Sequence, residues 1–455
     1  MGIKMTLDTK IILDKIKTIS VLLLTALCIY QTGVLWFVNI TNRNFLLNYF
    51  PFLQQAAIPE GFDNFIVPWR VFSALPDGSF SVRYKNLTHP DNDHYADMIL
   101  SQLMTKGSFV DSYPLDNENI LSFLAYPVFV YEYAFSMKAE WFSLGFGQRS
   151  GLLSRHGLET FRRVFIRPPD QYGFDAHVFF LCDEAYVYEF TVTLLLGGRH
   201  ILTSADMDYS AHASEEAGPV YRFVPLAKGG HFIPYGEFEF YKLNITNPYA
   251  DSHGVFALDF VRERVAGFFS NPAAIRTIVD SAVWVYRDVN TVVRYYDSHI
   301  LEYLSYRAID RSGSPSFISD FNAALQFIER DHLVTNDIYL AGFREDGDLH
   351  VFYFNYSINN TAIVMTDTAL SPRLEHPIVV TVDHGTVVRY RKLAFNFNLD
   401  KRQPVLAYAD FHNKLHRFDG DFTDVRLAYR VTEDAVAMPY WFMDGRAVSA
   451  VRRIQ

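Results

Sequence analysis

Phe317-Ile318-Ser319-Asp320-Phe321-Asn322-Ala323-Ala324-Leu325-Gln326-Phe327-Ile328 is the stretch on which the fold turns. Phe317, Ile318, Phe321, Ala324, Leu325 and Ile328 recur at three- and four-residue spacing, so a helix carries them as one apolar stripe. The period then changes to two. Residues 338–343 and 349–356 bracket Glu345-Asp346-Gly347-Asp348, and residues 378–382 and 386–390 bracket Asp383-His384-Gly385. Alternating runs joined by Asp- and Gly-rich turns are antiparallel strands, and Tyr440-Trp441-Phe442 adds strand-like sequence near the end. One helix followed by a meander predicts an α+β fold, with the helix packed on a curved antiparallel sheet.

Upstream, Arg311-Ser312-Gly313-Ser314-Pro315 marks a boundary. It separates a C-terminal α+β domain, 313–455, from a central one, 221–312. In the central domain Asn271-Pro272 predicts a helix start, with Ala274, Ile275 and Ile278 facing inward. Strands at 282–286 and 292–296 follow, then Leu301-Glu302-Tyr303. The helix-then-strands order recurs in both domains, so two related modules in tandem are expected. The N-terminal domain, 41–220, opens with a hairpin, 65–72 and 80–84, around Pro76-Asp77-Gly78. Ala96, Ile99, Leu100 and Leu103 then line a helix capped by Asp91 or Asp93 and ended by Gly107. A strand at 128–135, a second helix at 157–165 and strands at 177–180 and 186–195 follow. Residues 219–245 are again strands, and the alternation of Glu237-Phe238-Glu239-Phe240-Tyr241-Lys242 predicts one dry and one wet face.

Residues 18–40 contain no charge and match one bilayer thickness of helix. Lys4, Lys10, Lys15 and Lys17 precede them and only Arg43 follows closely. The Lys/Arg excess makes 1–17 a cytoplasmic tail, 18–40 a transmembrane helix and the C-terminal bulk extracytoplasmic, at the cell membrane. A cleaved signal peptide fits poorly, because the apolar stretch is long and runs into Trp36-Phe37-Val38-Asn39 without a small-residue cleavage pattern. Ser20, Leu24, Leu27, Gln31 and Val38 share one helical face, beside Thr25 and Thr32. The Gln31 amide either reaches the headgroups or meets another helix. In the second case Ser20, Leu24, Leu27 and Gln31 form a helix–helix contact.

The chain has 455 residues, 49% apolar and 20% charged, enough for a sizeable core. Forty Phe and 28 Tyr favour strands. A formal charge of −10 argues against nucleic acid as a partner. Of the two cysteines, Cys28 lies in the span and Cys182 stands alone beyond it, so no disulfide forms within the ectodomain. Cys182 lies among Phe179, Phe180 and Leu181 and reads as a small buried hydrophobe.

Candidate chemistry is sparse. His89-Pro90-Asp91-Asn92-Asp93-His94 has the composition of a metal cluster but the position of a helix cap. His412 and His416 have zinc spacing without the intervening glutamate of a hydrolytic site. Asp383-His384-Gly385 is a tight turn. Gly145-Phe146-Gly147-Gln148-Arg149-Ser150-Gly151 is Gly-rich but does not lead into a helix as a phosphate loop would. No nucleophile elbow, P-loop or dinucleotide fingerprint occurs. The sequence therefore predicts no catalytic, cofactor-binding or metal-binding residues.

Several stretches together resemble the YycH-type regulatory proteins of Gram-positive bacteria. They are Ile66-Val67-Pro68-Trp69-Arg70-Val71 with Asp77-Gly78, Tyr131-Glu132-Tyr133-Ala134-Phe135, and Phe268-Phe269-Ser270-Asn271-Pro272 with Ile275-Arg276. Tyr286, Arg294-Tyr295, Leu301-Glu302-Tyr303 and Met438-Pro439-Tyr440-Trp441-Phe442 complete the set. The family often has Gly after Asp in the 286–294 hairpin, where this chain has Asp288-Val289-Asn290. The resemblance implies a multidomain α+β ectodomain and an accessory role in a cell-wall two-component system. The partners it implies are a membrane sensor histidine kinase and a smaller homologous membrane regulator, contacted through membrane helices and ectodomains. The alternative is an extracytoplasmic protein or enzyme that takes cell-wall material, with aromatics stacking on sugars.

Overall fold

The structure, a computed structural model, describes residues 65–449 apart from 85–93, 147–150, 195–219, 251–257, 310–315, 365–373, 412–424 and shorter gaps, together with Leu24 and Thr25. The chain divides into two compact units, Met1–Ala57 and Ile58–Gln455. In the first, Leu24 and Thr25 are helical and exposed. No helix among the described residues is long and apolar enough to cross a membrane. The rest of the predicted span, 18–40, lies outside the described residues.

The second unit opens with a sheet of β1 (Arg70–Ala74), β2 (Phe80–Tyr84), β3 (Ser108–Pro114), β4 (Phe129–Lys138), β5 (Thr160–Arg167), β6 (Asp175–Leu181), β7 (Tyr186–Thr193), β8 (Val220–Val224) and β9 (His231–Tyr235). Among the described residues its order is β3-β7-β6-β5-β4-β1-β2-β8-β9. Helices α1 (His94–Lys106), α2 (Asn117–Phe123), α3 (Ala139–Gly145) and α4 (Leu152–Arg155) accompany it. Successive residues of a strand point to opposite faces, and here both faces are dry. Val71, Val164 and Ile166 join α1 and α3 in one core, while Phe72 and Phe165 join Ile120 and Phe123 of α2 in another. Ala96, Ile99, Leu100 and Leu103 are all buried, as the helical period predicts. At the end of α1 the Gly107 N–H donates to Leu103 O at 2.8 Å. A Cβ at Gly107 would lie 2.5 Å from that oxygen, so this stop requires glycine.

The predicted helix at 157–165 is not formed. Gly157 turns the chain at φ +83°, and β5 begins at Thr160. Phe161, Val164, Phe165 and Ile166 are buried between β4 and β6, which pair with β5 on either side. Sheet pairing on both edges, with Pro168-Pro169 next in sequence, overrides the short helical period.

The second sheet comprises β10 (Glu239–Thr246), β11 (Arg276–Asp280), β12 (Val283–Arg287), β13 (Thr291–Tyr296), β14 (Ile300–Ser305), β15 (Asp337–Asp346), β16 (Leu349–Ile358), β17 (Thr361–Val364), β18 (Ile378–Asp383), β19 (Thr386–Leu393), β20 (Asn396–Pro404), β21 (Val425–Val431), β22 (Val436–Met443) and β23 (Arg446–Ser449). Its order is β11-β12-β13-β14-β19-β18-β16-β17-β21-β22-β10-β20, with β15 on β16 and β23 on β22. Among the described residues pairing is antiparallel except between β17 and β21. Helices α5 (Leu258–Val265) and α6 (Phe317–Arg330) precede its two meanders.

Helix α6 forms as predicted. Ser316 caps it, its hydroxyl accepting from the Ser319 N–H at 3.4 Å, and Ile318, Phe321, Ala324, Leu325 and Ile328 are buried. The Asp383-His384-Gly385 segment is a tight turn with φ +45° at His384 and +75° at Gly385, the primed geometry that suits strand twist. At Asp288-Val289-Asn290 the Asp288 carboxylate accepts from the Asn290 and Thr291 N–H groups, at 2.8 and 2.7 Å. That side chain closes the hairpin without a glycine.

The predicted helix at 271 shrinks to one 3-10 turn, Pro272–Ala274, with Asn271 as its cap. Thr277-Ile278-Val279 is β-branched and pairs with β12, and Ile278 faces solvent rather than the core. The helix of this meander is α5, upstream. A helix and four antiparallel strands thus occur twice: α5 with β11 to β14, and α6 with β15, β16, β18 and β19. The two meanders join through β14 and β19, where Tyr303 stands opposite Tyr390.

Candidate functional site

The chemistry of the second unit is concentrated in charged side chains set inside its sheets. In the first sheet Glu132 on β4 lies between Arg70 on β1 and Arg163 on β5, and all three are buried. Arg70 Nε donates to Glu132 Oε2, and Arg163 Nε donates to Oε1 at 2.8 Å. Arg163 Nη1 also donates to Gly230 O at 2.7 Å, which ties the β8–β9 turn to the centre of the sheet. The Arg70 guanidinium lies 4.4 Å from the Trp69 ring centroid. Burial alone would raise the Glu132 pKa. The two arginines outweigh it and hold the carboxyl far below the usual range.

A second cluster bridges the two meanders. Glu302 on β14 accepts from Arg389 on β19 through Nε at 2.9 Å, from Arg294 Nη1 at 3.2 Å and from the Tyr296 hydroxyl at 3.0 Å. Burial again opposes ionisation, and the Arg389 hydrogen bond leads the groups that keep the carboxyl low.

The other two clusters flank α6. Near its start Asp320 is fully buried. Its Oδ2 lies 2.5 Å from His350 Nδ1, and its Oδ1 accepts from the Gly385 N–H at 2.5 Å. His384 Nδ1 lies 2.6 Å from Asp383 Oδ1. At its end Asp331 Oδ2 accepts from the Tyr390 hydroxyl at 2.8 Å and lies 2.5 Å from Lys392 Nζ. Burial pulls the Lys392 pKa down while Asp331 pushes back. Burial, and then Asp331, pushes the Tyr249, Tyr356 and Tyr390 hydroxyls up.

These clusters hold elements together. An Asp–His pair can orient a general base, but among the described residues no serine, threonine or cysteine is hydrogen-bonded to His350. No three His, Cys, Asp or Glu side chains gather as metal ligands there. His412, His416 and residues 89–93 lie outside the described residues. Cys182 is half-buried against the main core. Of the predicted helix-contact residues, Leu24 is helical and 61% exposed, while Ser20, Leu27 and Gln31 lie outside the described residues. Among the described residues, exposed aromatics stand at Tyr172 and Phe174 just before β6, at Tyr186 where β7 opens at the other end of that strand pair, and at Tyr126, Tyr235 and Tyr306. The β11–β14 meander carries exposed apolar side chains at Ile278, Val279, Val289 and Tyr306.

In the sequence Arg70, Glu132, Arg294 and Glu302 stand out only as parts of family-like stretches, and the structure pairs them in space. The signal was present as a charge inside an apolar strand, in Val67-Pro68-Trp69-Arg70-Val71-Phe72 and in Val128-Phe129-Val130-Tyr131-Glu132-Tyr133. A buried charge demands a partner, but sequence does not say which.

The crystal structure of YycH from Bacillus subtilis is similar to this one over 86% of this chain and 98% of that one, with TM-score 0.50 and 12% sequence identity. The chain shares the YycH fold. The long likeness to YycH agrees with the antiparallel α+β layout read from the sequence and with the family resemblance. Two further solved structures are similar over smaller shares. An uncharacterised protein from Eubacterium rectale matches 50% of this chain and 91% of its own, with TM-score 0.32 and 11% identity. The C-terminal domain of YpeB from Bacillus megaterium matches 43% and 93%, with TM-score 0.27 and 12% identity. No family model and no curated protein matches the sequence.

Proposed function

We propose that this protein is a membrane-anchored extracytoplasmic regulator, acting without catalysis, that modulates the sensor histidine kinase of a cell-wall two-component system. The observation that carries the reading is the YycH fold across 86% of the chain. The uncharged segment 18–40 and the lysines before it support a single-pass anchor with the bulk outside the cell.

Such a regulator acts by population shift. It biases the kinase only as far as it binds the on and off states unequally, and a tenfold difference in affinity moves the balance by about 1.4 kcal/mol. The partners are the kinase and a smaller homologous membrane regulator, met through the Ser20, Leu24, Leu27 and Gln31 face and through the ectodomain. The test is kinase autophosphorylation in vesicles, with and without the full chain. A changed rate is expected, and an unchanged rate overturns the proposal. Gln31→Leu is expected to weaken co-purification of the partners from detergent, and full recovery would remove the helix contact. Protease shaving of intact cells should digest the bulk of the chain.

A further inference from the structure

The two meanders differ in what their outer strands meet. The outer strand of the second, β15, is engaged within the chain: Phe343 packs on Phe135 of β4 and on Trp141 of α3, and Lys138 reaches Glu345 at 3.6 Å. The outer strand of the first is β11, Arg276-Thr277-Ile278-Val279-Asp280. Among the described residues only β12 pairs with it. Ile278 is 46% and Val279 58% exposed, although they point to opposite faces. An edge strand with apolar side chains on both faces is a template for another strand.

The sequence of β11 fits one occupant, its own copy. Run antiparallel about a two-fold axis through Ile278, the strand sets Arg276 opposite Asp280 of the copy, Thr277 opposite Val279, and Ile278 opposite Ile278. Residues directly opposite share a face. The pairing is therefore self-complementary in charge, as an isologous interface must be. It also answers a local conflict. Within the chain Arg276 stands opposite Arg287, both exposed, and like charges in that relation repel. An aspartate arriving on the other side of Arg276 offsets this.

We infer that β11 is a homodimerisation edge that joins two copies of this chain into one continuous sheet. Five paired residues bury less than the roughly 1,200–2,000 Å² of a stable soluble complex, so the association is weak and cross-linking is the fitting assay. The inference stands apart from the kinase reading. The test uses the full chain in detergent with Cys28→Ser and Cys182→Ser, into which Ile278→Cys is introduced. Opposed residues of antiparallel strands have Cα atoms about 4.5–5.5 Å apart, within disulfide reach. Oxidation is expected to give a covalent dimer. Arg276→Asp should slow its formation on the order of tenfold, because each dimer holds two such pairs. Adding Asp280→Arg should restore it. Absence of a dimer from a folded chain whose introduced thiol reacts freely with maleimide overturns the inference. So does cross-linking that Arg276→Asp leaves unchanged, or that the double reversal fails to restore.

Discussion

Glu132→Gln removes the carboxylate from between Arg70 and Arg163 while keeping its shape. Both guanidiniums stay buried, and neither can leave the sheet without breaking strand pairing. Arg163 retains Gly230 O, and Arg70 retains the Trp69 face. What is lost is charge compensation, and breaking a buried pair from one side costs about 3–5 kcal/mol. Equilibrium urea unfolding of the chain in detergent, followed by tryptophan fluorescence, should place the variant lower by that amount at pH 7. The apolar triple variant Arg70→Met, Glu132→Leu, Arg163→Met should fall within about 1 kcal/mol of the parent or exceed it, since β1, β4 and β5 then bury no charge at this site. The pH dependence has a fixed sign. The folded pKa of Glu132 lies far below its ordinary value of 4.5. Its contribution is therefore complete above pH ~4.5 and is lost as pH falls toward the folded pKa. The gap between parent and Glu132→Gln should narrow in acid. A variant within about 1 kcal/mol of the parent at pH 7, or a gap that persists unchanged into acid, would refute the buried triad.

Two further outcomes are expected from the α6 region. Gly385→Ala meets no close atom, since the nearest is Ser319 Oγ at 3.5 Å. Its cost is the left-handed backbone alone, about 1–2 kcal/mol by urea midpoint. Asp320→Ala leaves the Gly385 N–H and His350 without their shared acceptor. It should cost about 2–6 kcal/mol, since each of the two stranded groups costs ~1–3 kcal/mol, and hydrogen exchange at Gly385 should accelerate.

Elements whose pattern depends on near neighbours could be read directly. The stripe of α6, the stripe of α1 and the Asp-Gly turns are local, and each formed where the period placed it. The stretches 157–165 and 271–278 misled because a short run of apolar residues fits a helix and a buried strand equally. What decided them was pairing with strands distant in sequence. The candidate contact face, Ser20, Leu24, Leu27 and Gln31, came from helix geometry alone, and only Leu24 of it falls within the described residues.

By itself the amino-acid sequence determined the fold class, the α6 helix and meander, and the tight turns, because periodicity and turn chemistry act over a few residues. It also determined that charges sat within apolar strands. Only the tertiary structure decided that Glu132 meets Arg70 and Arg163, that Glu302 meets Arg389, and that β14 joins the two meanders through β19. Those partners lie 31 to 87 residues apart in the chain, and at such separations the sheet's register, not any local preference, selects which charge finds which.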